Sequence, residues 1–368
     1  VGFATAYFCA HTVHGLFHQW LARLDRTRFE VVAIHLGGIR DAYSARLPAL
    51  ADEVIEGPHE PDAWVARIGA AELDALVWLD VGMHGLAQTL SPLRFAPVTA
   101  VAWGHPVTTG LESVDAFLSA EAMEPDDAAR HYTEPLVPLS RLGIRFPWPL
   151  ASRDAVRVAW DGTRPPRLVC AQTVYKLHPR NLDLVTRIAA RLPDAEIHFV
   201  PHPSPDVRAR FAEVVRTRFE AAGAPCGERV RIHPGLKHEA FLALLAHADV
   251  FLDMPGWSGG HTTLEAIATD LPFVTLPGAF MRQRHTHAMA SLTGLADELS
   301  VDGEEAYVAR VVRLATDPAD HAAIVARIRE RKWSLYDDDA PIRALEAFLL
   351  AACGREPKSE PARPPSGT

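Results

Sequence analysis

Only four cysteines occur in 368 residues, Cys9, Cys170, Cys226 and Cys353, with no CxxC pair and no cysteine in metal-ligand spacing with a histidine. That excludes a disulfide-stapled scaffold and a structural zinc module. Cys9 and Cys170 lie in apolar runs and read as buried small residues. None of the eighteen histidines falls in an HExxH, so a metalloprotease has no basis and no metal site is expected. No apolar run approaches the ~18 residues that cross a bilayer, and no basic, apolar and small-residue leader opens the chain. The expected location is the cytoplasm, with no membrane partner. Positive charge is also short: a formal net charge of -9 argues against nucleic acid as a partner. No internal repeat of roughly 30 to 50 residues is visible.

What is present is ordinary globular material. Hydrophobic residues make up 48% of the chain, enough for sizeable cores, and the length suits two domains. The chain opens directly on the apolar VGFATAYF, which reads as a buried first strand and as the start of a domain cut from something longer. Strand-like runs then alternate with helical spacing: HGLFHQWLARL, FEVVAIHLGG, YSARLPALA, DEVIEG, PDAWVARIGAAE, LDALVWLD, a helix near 86–93, and VTAVAWG. A proline- and arginine-rich stretch follows, and a second alternating series begins at PRLVCAQ. It runs through AEIHFVP, RVRIHPG, DVFLD and PFVTLPG, with helices between them and four more near 281–291, 303–316, 318–332 and 341–352. This is the pattern of α/β parallel sheets covered on both faces, with ligands at the carboxyl ends of the strands. The simplest organisation is a first Rossmann-like domain at 1–145, a linker at 146–166, and a second Rossmann-like domain at 167–353 facing the first across a cleft. A Pro/Ser-rich tail at 354–368 is expected to be disordered.

The most informative stretch is FLDMPGWSGGHTTLEAIATDLPFVTLP at 251–277, which reads as strand, glycine loop, helix start and strand. A helix start leaves N–H groups unpaired at the positive end of the helix dipole and so suits a phosphate. Gly259 and Gly260 allow close approach of an anion, and Thr262 and Thr263 add hydroxyl donors. Glu265, one turn beyond His261, is placed to accept from a ribose hydroxyl. Taken alone, the stretch reads equally as an ordinary α/β glycine turn.

A second stretch, CAQTVYKLHPRNLD at 170–183, places Gln172, Thr173 and Lys176 at the carboxyl end of a strand. Lys176 could neutralise a diphosphate there, and the helix starting near Pro179 adds N–H groups. Alone, Lys176 reads as a solvated lysine; with the glycine loop it becomes one site. A third stretch, AWGHPVTTGLESVDAFLSAEAMEP at 102–125, puts Gly104, His105, Pro106, Thr108, Thr109 and Gly110 in a loop on the cleft side of the first domain, where a structural turn explains them equally well. Asp337, Asp338 and Asp339 precede the last helix and read as capping residues rather than metal ligands.

In this order and at these separations, the three stretches resemble the O-GlcNAc transferase and SPINDLY family, glycosyltransferase family 41. The resemblance runs from Val1 to about position 350. It includes VGFATAYFCAHTVHGLF with FEVVAIHLG, RFAPVTAVAWGHPVTTG with VDAFLS, QTVYKLHP, and ADVFLDMPGWSGGHTT with PFVTLPGAFMRQR. It implies a GT-B fold and inverting, metal-independent transfer of a sugar from a nucleotide sugar to a protein or peptide acceptor, with no cofactor. The family's usual donor is UDP-GlcNAc, while relatives use UDP-glucose or GDP-fucose. It further implies that His261, Thr262 and Thr263 match the family's pyrophosphate-binding His-Thr-Thr, that Lys176 is its diphosphate lysine, and that Thr173 contacts the nucleotide. Arg284 matches an arginine near the base, and Phe241 stands where the family's histidine stacks on uracil. His11 matches a histidine beside the acceptor and is the candidate base; its other reading is a capping residue. The animal members' acidic residue falls at Ala266 here, with Glu265 adjacent. The family's tetratricopeptide array is not among these residues and is expected in a longer native chain.

The chemistry is consistent with this. Transfer without metal needs fixed positive charge on the leaving diphosphate, and an acceptor hydroxyl benefits from a base. Three other readings are carried: a protein N- or O-glucosyltransferase using UDP-glucose, a nucleotide-sugar epimerase, for which no clear acidic pair is seen, and a non-catalytic nucleotide-sugar-binding module.

Overall fold

Short runs of β-branched and aromatic residues, buried on successive positions, make strands with both faces covered. A computed structural model describes residues 1–57, 60–152, 157–224 and 226–354. The expected disordered tail, from position 355 onward, lies outside the described residues. Two units are found, each with its own parallel sheet.

In the first unit the strands are β1 Gly2–Thr5, β2 Val32–His35, β3 Glu53–Glu56, β4 Ala75–Trp78, β5 Val98–Ala102, β6 Ala116–Ala120 and β7 Leu136–Leu139. They pair in the order β3-β2-β1-β4-β5-β6-β7. Every residue of β1, β2 and β4 is buried, and Gly2 is in register with both Val32 and Leu76. The sequence pattern stops at β5. The last two strands are joined by a segment containing only 3-10 turns, Glu121–Met123 and Ala128–His131, so no helical period announces them.

The second unit contains β8 Arg167–Cys170, β9 Glu196–Phe199, β10 Val230–Ile232, β11 Val250–Leu252 and β12 Phe273–Val274, in the order β10-β9-β8-β11-β12. All five follow the strands read from sequence. In each sheet the strand order reverses beside the unit's first strand, between β1 and β4 and between β8 and β11. Such a reversal opens a crevice at the carboxyl ends of the strands, where α/β sheets bind ligands.

The division of the chain differs from the sequence reading in three places. The described part of 146–166, expected as a linker, is built into the second unit; Trp148 packs on Trp333 with centroids 4.8 Å apart. Residues 121–131 also group with the second unit. The last helix, Ala340–Ala352, groups with the first, where Glu346 Oε1 accepts from Asp25 N at 2.8 Å. Asp339 stands at its cap position, but its carboxylate accepts from Arg145 Nε at 2.7 Å instead of capping the helix. Cys9 and Cys170 are buried, and burial pushes the Cys170 thiol up to about 12. Among the described residues, no helix is long and apolar enough to cross a membrane.

Candidate functional site

In the second unit, β8 runs out into Gln172 and Thr173, and β11 into Asp253 and the glycine loop. Asp253 is buried, and its carboxylate accepts from Gly259 N at 2.6 Å, Ser258 Oγ at 2.8 Å and Thr275 Oγ1 at 2.6 Å. Burial pushes its carboxyl up to about 6, against these bonds. The carboxylate therefore fixes the loop from inside. Gly259 is required by close approach: a Cβ there would lie 2.4 Å from Thr263 Oγ1. The loop delivers Gly260 to the start of the helix His261–Ala268, which has no side-chain cap, so its first N–H groups face whatever binds there.

Gln172 Nε2 donates to Trp257 O at 2.6 Å and ties the two strand ends together. Lys176 sits in the turn Val174–Lys176, with Nζ 5.3 Å from the centre of the Trp257 ring. Burial lowers its pKa, opposed by the charge of Asp253. His285 is buried and held neutral, pushed down to about 3 by burial and then by the Lys176 charge. Its Nδ1 lies 3.6 Å from where a Cβ of Gly260 would be. Gln172, Lys176, Trp257, Gly260 and His285 thus form one constellation; sequence reasoning left out Trp257, and from sequence His285 reads equally as a cleft residue or as part of a solvated helix face. Thr173 and Arg284 are half-buried at its margins, and Arg284 Nη1 donates to Gly278 O at 3.2 Å. Phe241 is half-buried in the helix His238–His247.

The expected roles of several residues do not fit their places. Thr263 is fully buried and shares a hydroxyl hydrogen bond with Thr286 at 3.0 Å, so its side chain is a packing group and not a phosphate donor. Thr262 remains half-buried in the first turn. Glu265 is 2% exposed and is held between His238 Nε2 at 2.5 Å and His261 Nδ1 at 3.2 Å. A ribose hydroxyl cannot reach a carboxylate enclosed in this way. At the helix starting at Pro179, His178 Nδ1 accepts from Arg180 N at 3.2 Å and Asn181 Oδ1 from His178 N at 2.6 Å, a reciprocal cap that occupies donors expected for an anion.

In the first unit the corresponding edge carries Asp80, two residues beyond β4. It is 1% exposed, and among the described residues its carboxylate oxygens make no hydrogen bond of good geometry, with the Thr5 hydroxyl as a weak partner. Burial pushes its carboxyl up to about 7, partly offset by the Thr5 hydroxyl. A carboxyl balanced near neutrality at a strand end is what a proton-transfer group requires. Sequence reasoning missed it, because an aspartate closing an apolar run looks like a loop residue. Burial and then the Asp80 charge raise the pKa of Tyr7, whose hydroxyl donates to Met83 O at 2.9 Å. His105 is adjacent: a Cβ on Gly82 (φ 106°) would lie 2.7 Å from its ring, while Pro106 is buried.

His11 stacks on Tyr7 at 4.1 Å and caps the helix Thr12–Arg23, its Nδ1 accepting from Val13 N at 3.2 Å. A neutral imidazole has one lone pair for this purpose, and the cap uses it. The geometry therefore fits the capping reading, and a base role would break the cap. The loop at 108–110 wraps the buried carboxylate of Glu134: Thr108 Oγ1 donates at 2.6 Å, Thr109 N at 2.7 Å and Gly110 N at 3.1 Å, with Thr109 Oγ1 also bonded. These hydroxyls build a turn and are not offered to an acceptor. Among the described residues, no group of three or more His, Cys, Asp or Glu is placed to hold a metal ion.

No family model matches the chain. The Arabidopsis thaliana protein named probable UDP-N-acetylglucosamine–peptide N-acetylglucosaminyltransferase SEC is 22% identical over 378 residues, covering 97% of this chain and 38% of that protein. The protein of the same printed activity named SPINDLY, from the same plant, is 24% identical over 342 residues, covering 86% of this chain and 35% of that protein. An O-GlcNAc transferase structure from Thermobaculum terrenum matches with a TM-score of 0.82 at 26% identity, covering 96% of this chain and 68% of that one. The chain is related to the O-GlcNAc transferase and SPINDLY family. Its fold is GT-B, and the relatives are named glycosyltransferases. The chain spans 38% and 35% of the lengths of the two plant relatives.

Proposed function

We propose that this chain is an inverting, metal-independent glycosyltransferase that moves N-acetylglucosamine from UDP-GlcNAc to Ser or Thr of a protein, in the cytoplasm and without a cofactor. One observation carries the reading. Lys176 lies by the Trp257 ring of the same glycine loop that leads into the uncapped helix at His261. A fixed positive charge and oriented N–H groups thus gather where a leaving diphosphate develops charge. The names of the relatives supply the donor and the peptide acceptor. In this reading Gln172, Thr173, Gly260, His261, Thr262 and Arg284 belong to the donor side. Asp80, and not His11, takes the proton of the acceptor hydroxyl.

The test is incubation of the purified chain with UDP-GlcNAc and cell-extract proteins, with and without a chelator, read by intact-protein mass. The expected result is addition of N-acetylhexosamine that the chelator does not abolish. Normal donor binding with no mass added to any polypeptide would leave a binding module, and conversion of UDP-GlcNAc alone to its epimer would make the chain an epimerase. Transfer from UDP-glucose in its place would move the chain to the glucosyltransferases.

A further inference from the structure

We propose that Glu265 is a positioning residue of the donor site, its buried carboxylate orienting His261 toward the diphosphate and tying it to His238. The inference rests on the donor reading given above. Four residues of helix place Glu265 beneath His261 on one face of the helix His261–Ala268. The carboxylate is 2% exposed and divides its oxygens: Oε2 lies 3.2 Å from His261 Nδ1, and Oε1 2.5 Å from His238 Nε2. The edge of the Phe146 ring meets His261 with centroids 5.2 Å apart, so the imidazole is held on two sides.

Two features set this cluster apart from an ordinary buried ion pair. Both imidazoles are first residues of helices, His261–Ala268 and His238–His247, where the helix dipole disfavours a cation unless an anion lies close. Glu265 supplies that anion from the buried side. A second anion, the diphosphate, would supply it from the open side of His261, which is half-buried, while His238 is 48% exposed at its side chain. The tautomer follows from the chemistry of the partner. An ionised carboxylate only accepts, so the nitrogen facing it carries the hydrogen. With Nδ1 3.2 Å from Glu265 Oε2, the carboxylate favours the hydrogen on His261 Nδ1, and Nε2 is the atom left for the donor. An imidazole that donates from both nitrogens is an imidazolium, which suits a place between a carboxylate and a phosphate.

Burial alone would raise the carboxyl of Glu265, but the charges and hydrogen bonds of His261 and His238 outweigh it and hold it down to about 2. The hydrogen bond to Glu265 in turn raises His238. The other titratable groups facing the cluster are Glu239, which also raises His238, and Tyr336, whose hydroxyl donates to Leu264 O at 2.5 Å. Glu265 therefore stays ionised through the neutral range.

The experiment combines nitrogen-15 NMR of the imidazoles with calorimetric titration of UDP, on the parent and on Glu265→Gln. The parent is expected to show His261 protonated at Nδ1. In Glu265→Gln that preference should be lost and the dissociation constant for UDP should rise roughly tenfold, the scale seen when the partner orienting a ligating imidazole is removed. A parent His261 in the Nε2–H tautomer overturns the proposal without any variant, which covers the case of a substitution that fails to fold. A folded Glu265→Gln chain that binds UDP as the parent does refutes it as well and leaves the donor reading standing. Absence of UDP binding by the parent removes the donor reading and this proposal with it. A merely structural role would lower the melting temperature and leave the UDP affinity of the folded chain unchanged.

Discussion

Asp80 and Asp253 occupy corresponding places in the two units, each just past the strand that flanks its unit's first strand. Each is 1% exposed, and burial pushes the carboxyls up to about 7 and about 6. They differ in company. Asp253 accepts three hydrogen bonds that hold a loop, whereas Asp80 has only the weak help of the Thr5 hydroxyl among the described residues. A buried carboxylate with its bonds made is an anchor. One with so little support is costly to hold, and on that ground we propose Asp80 for the proton transfer and Asp253 for holding the loop.

The sharpest way to break this contrast is Asp80→Asn. Transfer from UDP-GlcNAc should fall by about 10²–10⁴-fold, the usual contribution of a positioned general base, with no loss in melting temperature. A variant that transfers as the parent does would return Asp80 to a purely structural role.

Stability should show a matching sign. The folded carboxyl of Asp80 keeps its proton up to about pH 7, whereas the unfolded chain releases it near pH ~4. The native state thus binds more protons between these values, and this group's contribution falls as pH rises through them. The excess stability of Asp80→Asn over the parent should therefore grow from pH 4 to 7, reaching up to about 4 kcal/mol, and level off above. Melting curves across that range check it.

Asp253→Asn differs in that loop donors lose their acceptor: that loss costs about 1–3 kcal/mol and opposes the gain from removing a carboxyl whose pKa is raised, so it shows most clearly near pH ~4. UDP binding should fail along with the loop, and chemical denaturation with UDP titration would show both.

His14 and His198 add a slope of the other sign. Burial pushes each down to about 4, while an unfolded histidine takes its proton near ~6.5. Their contribution is complete above about pH 6.5 and is lost as pH falls toward 4. Replacing His198 with Gln should flatten the acid limb of the melting profile.

The smallest expected effect is Thr109→Val. It removes one hydroxyl from Glu134 and should cost ~1 kcal/mol, with UDP affinity unchanged. A loss of transfer without a loss of stability would restore this loop to the acceptor side.

Both sheets were legible because buried parallel strands are apolar runs spaced by helical periods. The pattern failed at β6 and β7, where no helix intervenes. The glycine loop and Lys176 were legible because anion sites in α/β folds gather at strand ends followed by helix starts. Pairings between distant residues were not legible. Thr108 and Thr109 are spent on Glu134, some 25 residues away, and Glu265 is enclosed by His238, 27 residues before it. The last helix docks on the first unit through Glu346 and Asp25, 321 residues apart. Asp80 escaped notice for a related reason: the weak pairing of a buried carboxylate is a property of the folded neighbourhood and leaves no mark in linear order.

The most direct test of the donor site is the melting temperature of the parent and of Lys176→Ala with UDP, GDP and ADP in turn. At about 100 times its dissociation constant, a bound nucleotide stabilises the fold by ~2.7 kcal/mol, a readily measured shift. The account predicts that UDP raises the melting temperature of the parent and that Lys176→Ala loses the effect. Equal stabilisation of both chains, or none by any nucleotide, would contradict it.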